Sequence, residues 1–477
     1  PPRGSAMHLR FFSATTLALP LLFAACSSDS DDPVANPNPE GQDPSQMPDP
    51  QGAGGTDTTG AGGTEGVDPN LPLDGKGNPA LTGVEQPGEG CPETAALPEF
   101  AALTPVTALP NPFVMQDGTA VTTKAQWACR HRELRSMFEK YETGPKTAKP
   151  AEVTGAFANN ALTVNVSDGA GKAASFTVAI TYPATGTGPF PAMIGLGGGS
   201  LNNARLNEQG VATINFVVND VRPEGDRSAG AYTAMTGLTD SGSLIAWAWG
   251  VSRVIDAIES TPDANIKADR LGITGCSRLG KGALMVGAMD SRIALTIPQE
   301  SGSGGTAAWR AAEVENTEAP QGCENPMDLT RCVQKLSSTY TETQWFGTQI
   351  AQFSSAVDNL PVDHHELIGL AAPRGLLALG NIGWRWLGRY GGIQGMTAAR
   401  EVYKAVGAPQ NIGFAESGHF HCNNMDFTGR EQEAVDAFVG KFLLDQDVST
   451  DIWAEGPNPV AFDTARWVDW ETPTLTE

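Results

Sequence analysis

Two kinds of hydrophobic pattern divide the folded part of the chain. The stretches "ALTVNVSD" (161–168) and "ASFTVAITYP" (174–183) alternate apolar and polar residues, which predicts half-buried antiparallel strands. Shorter and more continuously apolar runs follow, and these predict strands buried on both faces of a parallel sheet. The runs are 190–197, 210–218, 270–276, 293–300, 374–381 and 412–417.

Helical periodicity separates several of these apolar runs. The stretch 244–260 carries one apolar face, and 397–407 and 431–444 are equally helical. The face of the first stretch consists of Trp247, Val251, Val254, Ile255 and Ile258. Its tryptophans are expected in the core. Strands that alternate with helices predict an α/β fold, a three-layer sandwich with a mainly parallel central sheet and an N-terminal antiparallel portion.

The N-terminal ninety residues do not show this periodicity of hydrophobic residues. Met7 is followed by a short positive segment and an apolar run that ends at Cys26, the pattern of a signal peptide over residues 1–26, with 1–6 extraneous. "LFAAC" resembles a lipoprotein box, which would make Cys26 the lipidated residue; cleavage near Ala25 without lipidation is the alternative. Residues 27–90 are rich in Gly, Pro, Ser and Asp and are expected to form a disordered spacer. The catalytic domain is expected over 91–477.

Charge and cysteine content narrow the classes of function. The formal net charge is −23 and no basic stripe is present, which argues against nucleic acid and anionic membranes as partners. The chain has seven cysteines, so six remain after Cys26, an even set for an oxidising compartment. Fifteen pairings of six cysteines are possible. No CxxC or HExxH motif occurs, and we expect neither a metal nor an organic cofactor.

The stretch "TGCSRLGKGA" (274–283) contains the candidate nucleophile, Ser277. A predicted strand precedes it and a predicted helix follows it, the setting in which α/β hydrolases present a serine on a sharp turn. The motif is not GxSxG, because Leu279 stands at the place of the second glycine and Gly280 follows. The alternative is a serine that only caps the helix.

A serine nucleophile needs a histidine base and an orienting acid. The chain has six histidines, and His419 and His421 directly follow the last predicted strand, where this fold places its base. His421 is favoured because Cys422 follows it, and a bridge from Cys422 to Cys276 would hold the base beside Ser277. The usual acid position after the strand 374–381 offers only glycine and asparagine. Glu300, at the end of the preceding strand, is therefore the candidate acid, with a surface glutamate as the alternative.

Two features could stabilise the negative charge that builds on a carbonyl oxygen. Arg278 follows the nucleophile, and both its backbone N–H and its guanidinium are candidate oxyanion donors. "GLGGGS" (195–200) could supply further backbone donors, although packing of a helix against a strand explains these glycines equally well.

A family resemblance extends well beyond the serine motif. "GCSRLGKGA" resembles the G-C-S-R-x-G-K-x-A signature of the glucuronoyl esterases, carbohydrate esterase family 15. Further similar stretches lie between about Val114 and Leu444. They are "AWAWGVSRVIDAIE", "PQESGSGG", "WFGTQI", "PVDHHEL", "APRGLL" and "HFHC".

The resemblance implies a role for each matching residue. It makes Ser277 the nucleophile, His421 the base and Glu300 the acid, and it implies the α/β-hydrolase fold. Arg278 matches the arginine that stabilises the oxyanion. The residues that would hold the uronic sugar are Lys281, Gln334, Glu342 and Trp386. The resemblance also implies three disulfides, which are Cys91–Cys129, Cys276–Cys422 and Cys323–Cys332.

The implied activity is hydrolysis of esters between 4-O-methyl-glucuronic acid of glucuronoxylan and alcohols of lignin, by a secreted monomer. Two alternatives stay open. One is a broader esterase that acts on acetylated xylan or aryl esters through the same residues. The other is a carbohydrate-binding lipoprotein without catalysis, which would be expected to lack one of the three catalytic residues, and none is missing.

Overall fold

The computed structural model describes residues 73, 76–79, 81, 84–86, 90–93, 95–318, 332–342, 344–422 and 429–476. Ten strands form one sheet. In chain order they are β1 (Glu152–Ala158), β2 (Ala161–Ser167), β3 (Ala173–Thr181), β4 (Phe190–Leu196), β5 (Ala212–Phe216), β6 (Ile266–Cys276), β7 (Ile293–Gln299), β8 (Gly375–Asn381), β9 (Ile412–Ser417) and β10 (Trp453–Ala454).

The spatial order of the strands is β1-β2-β3-β5-β4-β6-β7-β8-β9-β10. The pairs β1–β2, β2–β3 and β3–β5 are antiparallel, and every later neighbour pair is parallel. Burial follows the hydrophobic pattern: exposed and covered residues alternate along β3, whereas all of β7 is buried. The predicted sheet, mainly parallel with an N-terminal antiparallel portion, is confirmed.

Helices cover both faces of the sheet. They are α1 (Lys124–Phe138), α2 (Asn203–Glu208), α3 (Val218–Val221), α4 (Gly230–Thr236), α5 (Ser243–Ser260), α6 (Arg278–Met289), α7 (Trp309–Glu318), α8 (Leu336–Glu342), α9 (His364–Gly369), α10 (Arg389–Ala405), α11 (Arg430–Phe442) and α12 (Thr464–Trp467). Short 3₁₀ turns occupy Phe100–Ala102, Pro262–Ala264, Thr348–Phe353, Val357–Asn359 and Arg385–Leu387, and a π turn occupies Glu139–Thr143.

Two separate apolar cores lie on the two faces of the sheet. The larger core packs α5 and α6, including the fully buried Trp247 and Trp249, against one face. The smaller core packs α2 and α11 against the other face. This arrangement is the predicted three-layer sandwich.

Helix α1 is an element that the hydrophobic pattern did not indicate. It buries Arg130 and Glu133, which form an ion pair of 2.6 Å, and Arg130 also contacts Glu366 on α9 at 3.2 Å. Burial of a charge is tolerated when a partner and hydrogen bonds accompany it. Because Glu366 is distant in the chain, the sequence of α1 does not show that its charged residues are paired in the core.

The described residues ahead of Cys91 pack against the catalytic domain. The Glu85 carboxylate bonds to the buried Lys146 and Arg253, and the Asn78 amide donates to the carbonyl of Lys441 at 3.2 Å. The expected spacer, 27–90, therefore includes at its C-terminal end residues that belong to the folded unit. No helix within the described residues is long and apolar enough to cross a membrane. The predicted signal peptide and Cys26 lie outside the described residues.

Candidate active site

Ser277 lies on a sharp turn between β6 and α6. Its backbone angles, φ 57° and ψ −124°, are a strained conformation for a residue with a side chain. A Cβ at Gly275 would meet the Leu279 carbonyl oxygen at 2.4 Å, and one at Gly280 would meet the Gln299 carbonyl oxygen at 2.4 Å. The tight turn thus needs glycine at 280 and not at 279, which explains the departure from GxSxG. The Ser277 side chain makes no capping bond to α6.

The Glu300 carboxylate lies at the carboxyl end of β7 and is almost completely buried, with an exposed fraction of 2%. Its Oε2 accepts hydrogen bonds from His421 Nδ1 at 2.6 Å and from Asn381 Nδ2 at 3.0 Å. Its Oε1 accepts from the backbone N–H of Cys422 and from Gln299 Nε2, both at 3.0 Å. Burial by itself raises the pKa of Glu300, but the hydrogen bonds and charge of His421 outweigh burial and hold the pKa below its usual value. The group is therefore an ionised acceptor near neutral pH.

The His421 ring connects Glu300 to the surface. Its side chain is 27% exposed, and its ring stacks at a tilt on Trp384, with centroids 4.9 Å apart. Since Nδ1 donates to Glu300, Nε2 is the nitrogen that can exchange a proton with a hydroxyl. Neighbouring His419 lies 3.7 Å from Glu300 Oε1 and 3.5 Å from Glu431, so the closer contact with the acid belongs to His421, as the sequence predicts.

A disulfide joins the loop that carries His421 to the turn that carries Ser277, called the nucleophile turn below after its candidate residue. Cys276 and Cys422 are bonded, with Cα atoms 5.6 Å apart. They are the residues immediately before Ser277 and immediately after His421. The Ser277 hydroxyl makes no hydrogen bond within the described residues. The bridge keeps the backbone segments that carry Ser277 and His421 next to each other. A ring nitrogen of His421 lies within 4.8 Å of both sulfurs, but a disulfide offers no thiolate to a metal ion.

Asn381 is a site residue that sequence reasoning did not assign. It ends β8 at the usual acid position, and its amide donates to Glu300 and to the carbonyl of His419, both at 3.0 Å. Gly383 N donates in turn to Asn381 Oδ1 at 2.8 Å, which fixes the amide. The available signal was its place at the carboxyl end of a parallel strand, next to the strand that ends in Glu300.

The Arg278 guanidinium lies on the exposed side of the nucleophile turn. Its side chain is 48% exposed, and its Nε donates to Glu224 Oε1 at 2.7 Å. The glycine loop after β4 does not supply free donors at its centre. The N–H groups of Gly197, Gly198 and Gly199 donate to backbone carbonyls, and a Cβ at Gly197 would meet the Leu279 side chain at 2.8 Å. The loop is thus a close-packed turn against the start of α6.

The four residues expected to hold a sugar lie together beside the nucleophile turn. Lys281 Nζ donates to the Ser301 carbonyl at 2.5 Å and to Gln334 Oε1 at 2.9 Å. Gln334 Nε2 donates to Glu342 Oε1 at 2.8 Å, and Gln334 N donates to the Trp386 carbonyl at 2.9 Å. Trp386 is on the 3₁₀ turn after β8.

Burial shifts the pKa of two of these groups. Loss of solvent lowers the pKa of Lys281 to about 7, although the Glu342 charge opposes this change. Loss of solvent also raises the pKa of Glu342, against the hydrogen bond from Gln334 and the charge of Lys281. The lysine can therefore change its charge within the neutral range.

Of the remaining expected disulfides, the structure joins Cys91 to Cys129, with Cα atoms 5.4 Å apart. Cys332 is buried, whereas its expected partner Cys323 lies outside the described residues.

Comparison with known proteins identifies the family of this chain. A protein-family model described as "Glucuronyl esterase, fungi" matches residues 164–407. A 4-O-methyl-glucuronoyl methylesterase of Hypocrea jecorina is 40% identical over 394 residues, which cover 82% of this chain and 81% of the relative. One of Schizophyllum commune is 41% identical over 380 residues, which cover 77% of this chain and 91% of the relative.

Solved structures give the same assignment. The glucuronoyl esterase catalytic domain of Hypocrea jecorina superposes with a TM-score of 0.72 at 40% identity, covering 80% of this chain and all of that domain. A glucuronoyl esterase mutant from Sporotrichum thermophile, in complex with methyl 4-O-methyl-beta-D-glucopyranuronate, has a TM-score of 0.72 at 35% identity, with coverage of 80% of this chain and 100% of that chain. On these matches and on the site described above, the chain belongs to the glucuronoyl esterase family, carbohydrate esterase family 15.

Proposed function

We propose that this protein is a serine esterase that hydrolyses esters of 4-O-methyl-glucuronic acid. One observation carries the proposal: an ionised, buried Glu300 holds the partly exposed His421 ring, and a disulfide joins the loop of that ring to the strained Ser277 turn. These are the nucleophile, base and acid of an acyl-transfer site. The curated relatives above are named 4-O-methyl-glucuronoyl methylesterases, which gives the substrate class.

In the first half of the reaction, the Ser277 Oγ attacks the uronyl carbonyl carbon, and His421 Nε2 takes the hydroxyl proton. Glu300 stabilises the imidazolium without taking that proton itself. The Arg278 guanidinium and its backbone N–H stabilise the negative charge on the carbonyl oxygen. His421 then gives the proton to the leaving alcohol, and the uronyl group stays bound to Ser277 as an ester.

In the second half, His421 takes a proton from water, whose oxygen attacks the acyl carbon. The bond between that carbon and Ser277 Oγ then breaks, His421 returns the proton to Ser277 Oγ, and the uronate is released. The roles of Lys281, Gln334, Glu342 and Trp386 are to bind the sugar ring and its hydroxyl groups. Every step uses side chains of this chain, without a cofactor.

The natural substrate that we propose is the ester between glucuronoxylan and the alcohols of lignin. A polymer of this size requires an exported enzyme, and the two described disulfides suit an oxidising compartment. Residues 1–26 would direct export, and Cys26 would carry a lipid that anchors the protein to the bacterial outer membrane or cell surface. The folded domain, which includes residues from 73 onward, would act as a monomer at the end of the spacer.

The decisive experiment measures the hydrolysis of benzyl glucuronate by the purified protein and by Ser277→Ala. We expect turnover by the wild type and a loss of roughly 10⁴–10⁶-fold in the variant, the range seen when a serine nucleophile is removed. An inert wild type, or an equally active alanine variant, would falsify the proposal. An acetyl ester serves as the comparison substrate, and faster release of acetate than of glucuronate would instead support the broader esterase.

A further inference from the structure

The oxyanion role proposed for Arg278 raises a physical problem. Its side chain is 48% exposed, and a long, exposed arginine loses rotamer entropy when it is held in one geometry. Stabilisation of a transition state needs a donor that is already in place before the reaction. The residue that fixes the Arg278 guanidinium is therefore as important as the guanidinium.

Glu224 contacts Arg278 through one carboxylate oxygen and Trp345 through the other. Its Oε1 accepts from Arg278 Nε at 2.7 Å, and its Oε2 accepts from the indole Nε1 of Trp345 at 2.8 Å. The Glu224 side chain is only 21% exposed. Arg278 bonds to Glu224 through Nε, and neither terminal nitrogen of the guanidinium bonds to another described residue, so their N–H groups are available to a ligand.

The backbone that carries Glu224 is itself held at three successive carbonyls. The carbonyl of Arg222 accepts from Trp247 Nε1 at 2.8 Å, and that of Pro223 accepts from the Ser243 hydroxyl at 3.3 Å. The Glu224 carbonyl accepts from Gln344 N at 3.4 Å. Trp247 and Ser243 are one turn apart on the buried helix α5, so the carboxylate is presented from the core of the domain.

The second contact of Glu224 reaches the proposed sugar site. Trp345 is 6% exposed, and its ring lies 5.6 Å from Lys281 Nζ, within the range of a cation–π interaction. The Trp345 carbonyl accepts from Leu244 N at 3.1 Å on the same helix α5. One carboxylate thus joins the arginine on the nucleophile turn to the indole that covers the lysine.

We propose that Glu224 is a positioning residue for the Arg278 guanidinium, and that Trp345 orients the Glu224 carboxylate. This inference rests on the proposed acyl-transfer function. Glu224 does not touch the reacting atoms; it fixes the guanidinium at Nε so that its remaining N–H groups meet the developing oxyanion. Glu224 should therefore make no contribution to kcat once the Arg278 guanidinium is absent. A residue with a structural role would still affect kcat in that background.

A double-mutant cycle tests the proposal. Arg278→Ala should lower kcat by roughly 10²–10³-fold, the loss that follows removal of one oxyanion donor. Glu224→Gln keeps the size of the side chain but removes its charge, and should lower kcat by roughly 10-fold with little change in KM, because the contact matters in the transition state. In the Arg278→Ala background, Glu224→Gln should have no further effect on kcat. Losses that multiply in the double variant, or an unchanged kcat in Glu224→Gln, would overturn the proposal.

A second variant tests the contact between Trp345 and Glu224. Trp345→Phe removes the donor to Glu224 Oε2 and keeps an aromatic face beside Lys281. We expect a loss in kcat of roughly 3-fold in the wild type and none in Arg278→Ala. If Glu224→Gln does not fold, this cycle decides the question, and a loss that persists without Arg278 contradicts positioning.

The matched control is an exposed pair that is not part of the proposed site. Glu318 accepts from Arg466 at 2.8 and 2.9 Å, and Glu318→Gln should leave kcat and the melting temperature unchanged. All variants are measured on benzyl glucuronate and on 4-nitrophenyl acetate. If the wild type hydrolyses only the acetate, the proposed substrate is wrong, while the cycle on acetate still decides the role of Glu224.

Discussion

Among the described residues, two hydrogen-bonded histidine–glutamate pairs have similar bond lengths and different surroundings. His364 Nε2 lies 2.8 Å from Glu142 Oε1, and His421 Nδ1 lies 2.6 Å from Glu300 Oε2. His364 and Glu142 are both fully buried. The His421 side chain is 27% exposed. His364 lies in "PVDHHEL" and His421 in "GHFHC", and both stretches belong to the family resemblance.

The difference lies in the second ring nitrogen. His364 Nδ1 donates to the Gly305 carbonyl at 2.5 Å, so both of its nitrogens are occupied by protein groups. Its ring also makes edge contacts with Phe138 and Trp309, with centroids 6.2 and 5.2 Å away. His421 bonds to Glu300 through Nδ1, and within the part of the chain that the structure describes no protein group bonds to Nε2, which leaves it for a substrate proton. A histidine–carboxylate pair thus becomes a base only where one nitrogen is left accessible.

The neighbouring His365 shows a third outcome of burial. Its Nε2 donates to the Pro110 carbonyl at 2.8 Å, and burial lowers the pKa of His365 to about 4, against the charge of Asp363. It is a neutral core residue at physiological pH. The pair at 364–365 therefore fixes α9 within the fold and takes no part in proton transfer.

Alanine substitution of each histidine gives the largest contrast. His421→Ala removes the base, and we expect kcat for benzyl glucuronate to fall by roughly 10⁴–10⁶-fold while the fold is preserved. His364→Ala leaves the Glu142 carboxylate buried without its partner, and we expect it to lower the free energy of unfolding by roughly 3–5 kcal/mol. The measurements are steady-state kinetics and denaturant unfolding of both variants. A folded but inactive His364→Ala protein would show that the buried pair also serves catalysis.

Weakening the acid rather than the base should give a smaller contrast. Asn381→Ala removes one hydrogen bond from Glu300, and a loss of about 1–2 kcal/mol corresponds to a decrease in kcat of roughly 10-fold. The matched change at the buried pair is Trp309→Phe, which removes the 3.3 Å indole bond to Glu142 and should affect stability without affecting kcat. An Asn381→Ala enzyme with unchanged kcat would mean that the remaining donors hold Glu300 sufficiently.

The smallest effect concerns the pH dependence of stability. Burial lowers the pKa of His364, but the Glu142 charge and hydrogen bond outweigh burial, so the pKa is raised above 6.5. The stabilisation from its protonated form is then fully present below pH 6.5 and is lost as pH rises through the folded pKa. We expect the difference in Tm between the wild type and His364→Gln to shrink by roughly 2 °C between pH 6 and pH 9. A difference that grows with pH would contradict the charged state of His364.

Much of the fold could be predicted because strand burial is visible in the local pattern. The alternating residues of β2 and β3 and the continuous apolar run of β7 match their environments directly. Helix α1 escaped prediction because its buried charges are neutralised by residues far along the chain, such as Glu366. The packed residues around Glu85 escaped for the same reason, since their partners Lys146 and Arg253 are distant in sequence.

The candidate site also contains some residues that the sequence indicates and others that it does not. Ser277, Arg278 and Lys281 belong to one local motif, and the cysteines beside Ser277 and His421 indicated which loop meets the nucleophile turn. Neither a local motif nor an adjacent cysteine indicates Asn381 or Glu224. Their contacts are with residues from other segments of the chain, and those contacts depend on where the strands and helices place the loops.

The amino-acid sequence by itself determined the layered α/β architecture, the turn that presents Ser277 and the set of side chains available for acyl transfer, because these depend on local periodicity and local backbone geometry. The tertiary structure alone decided which histidine keeps a free nitrogen, what holds Glu300 in its ionised form and what anchors Arg278. Those properties depend on burial and on hydrogen bonds between residues more than fifty positions apart, and neither is encoded in any short stretch of the chain.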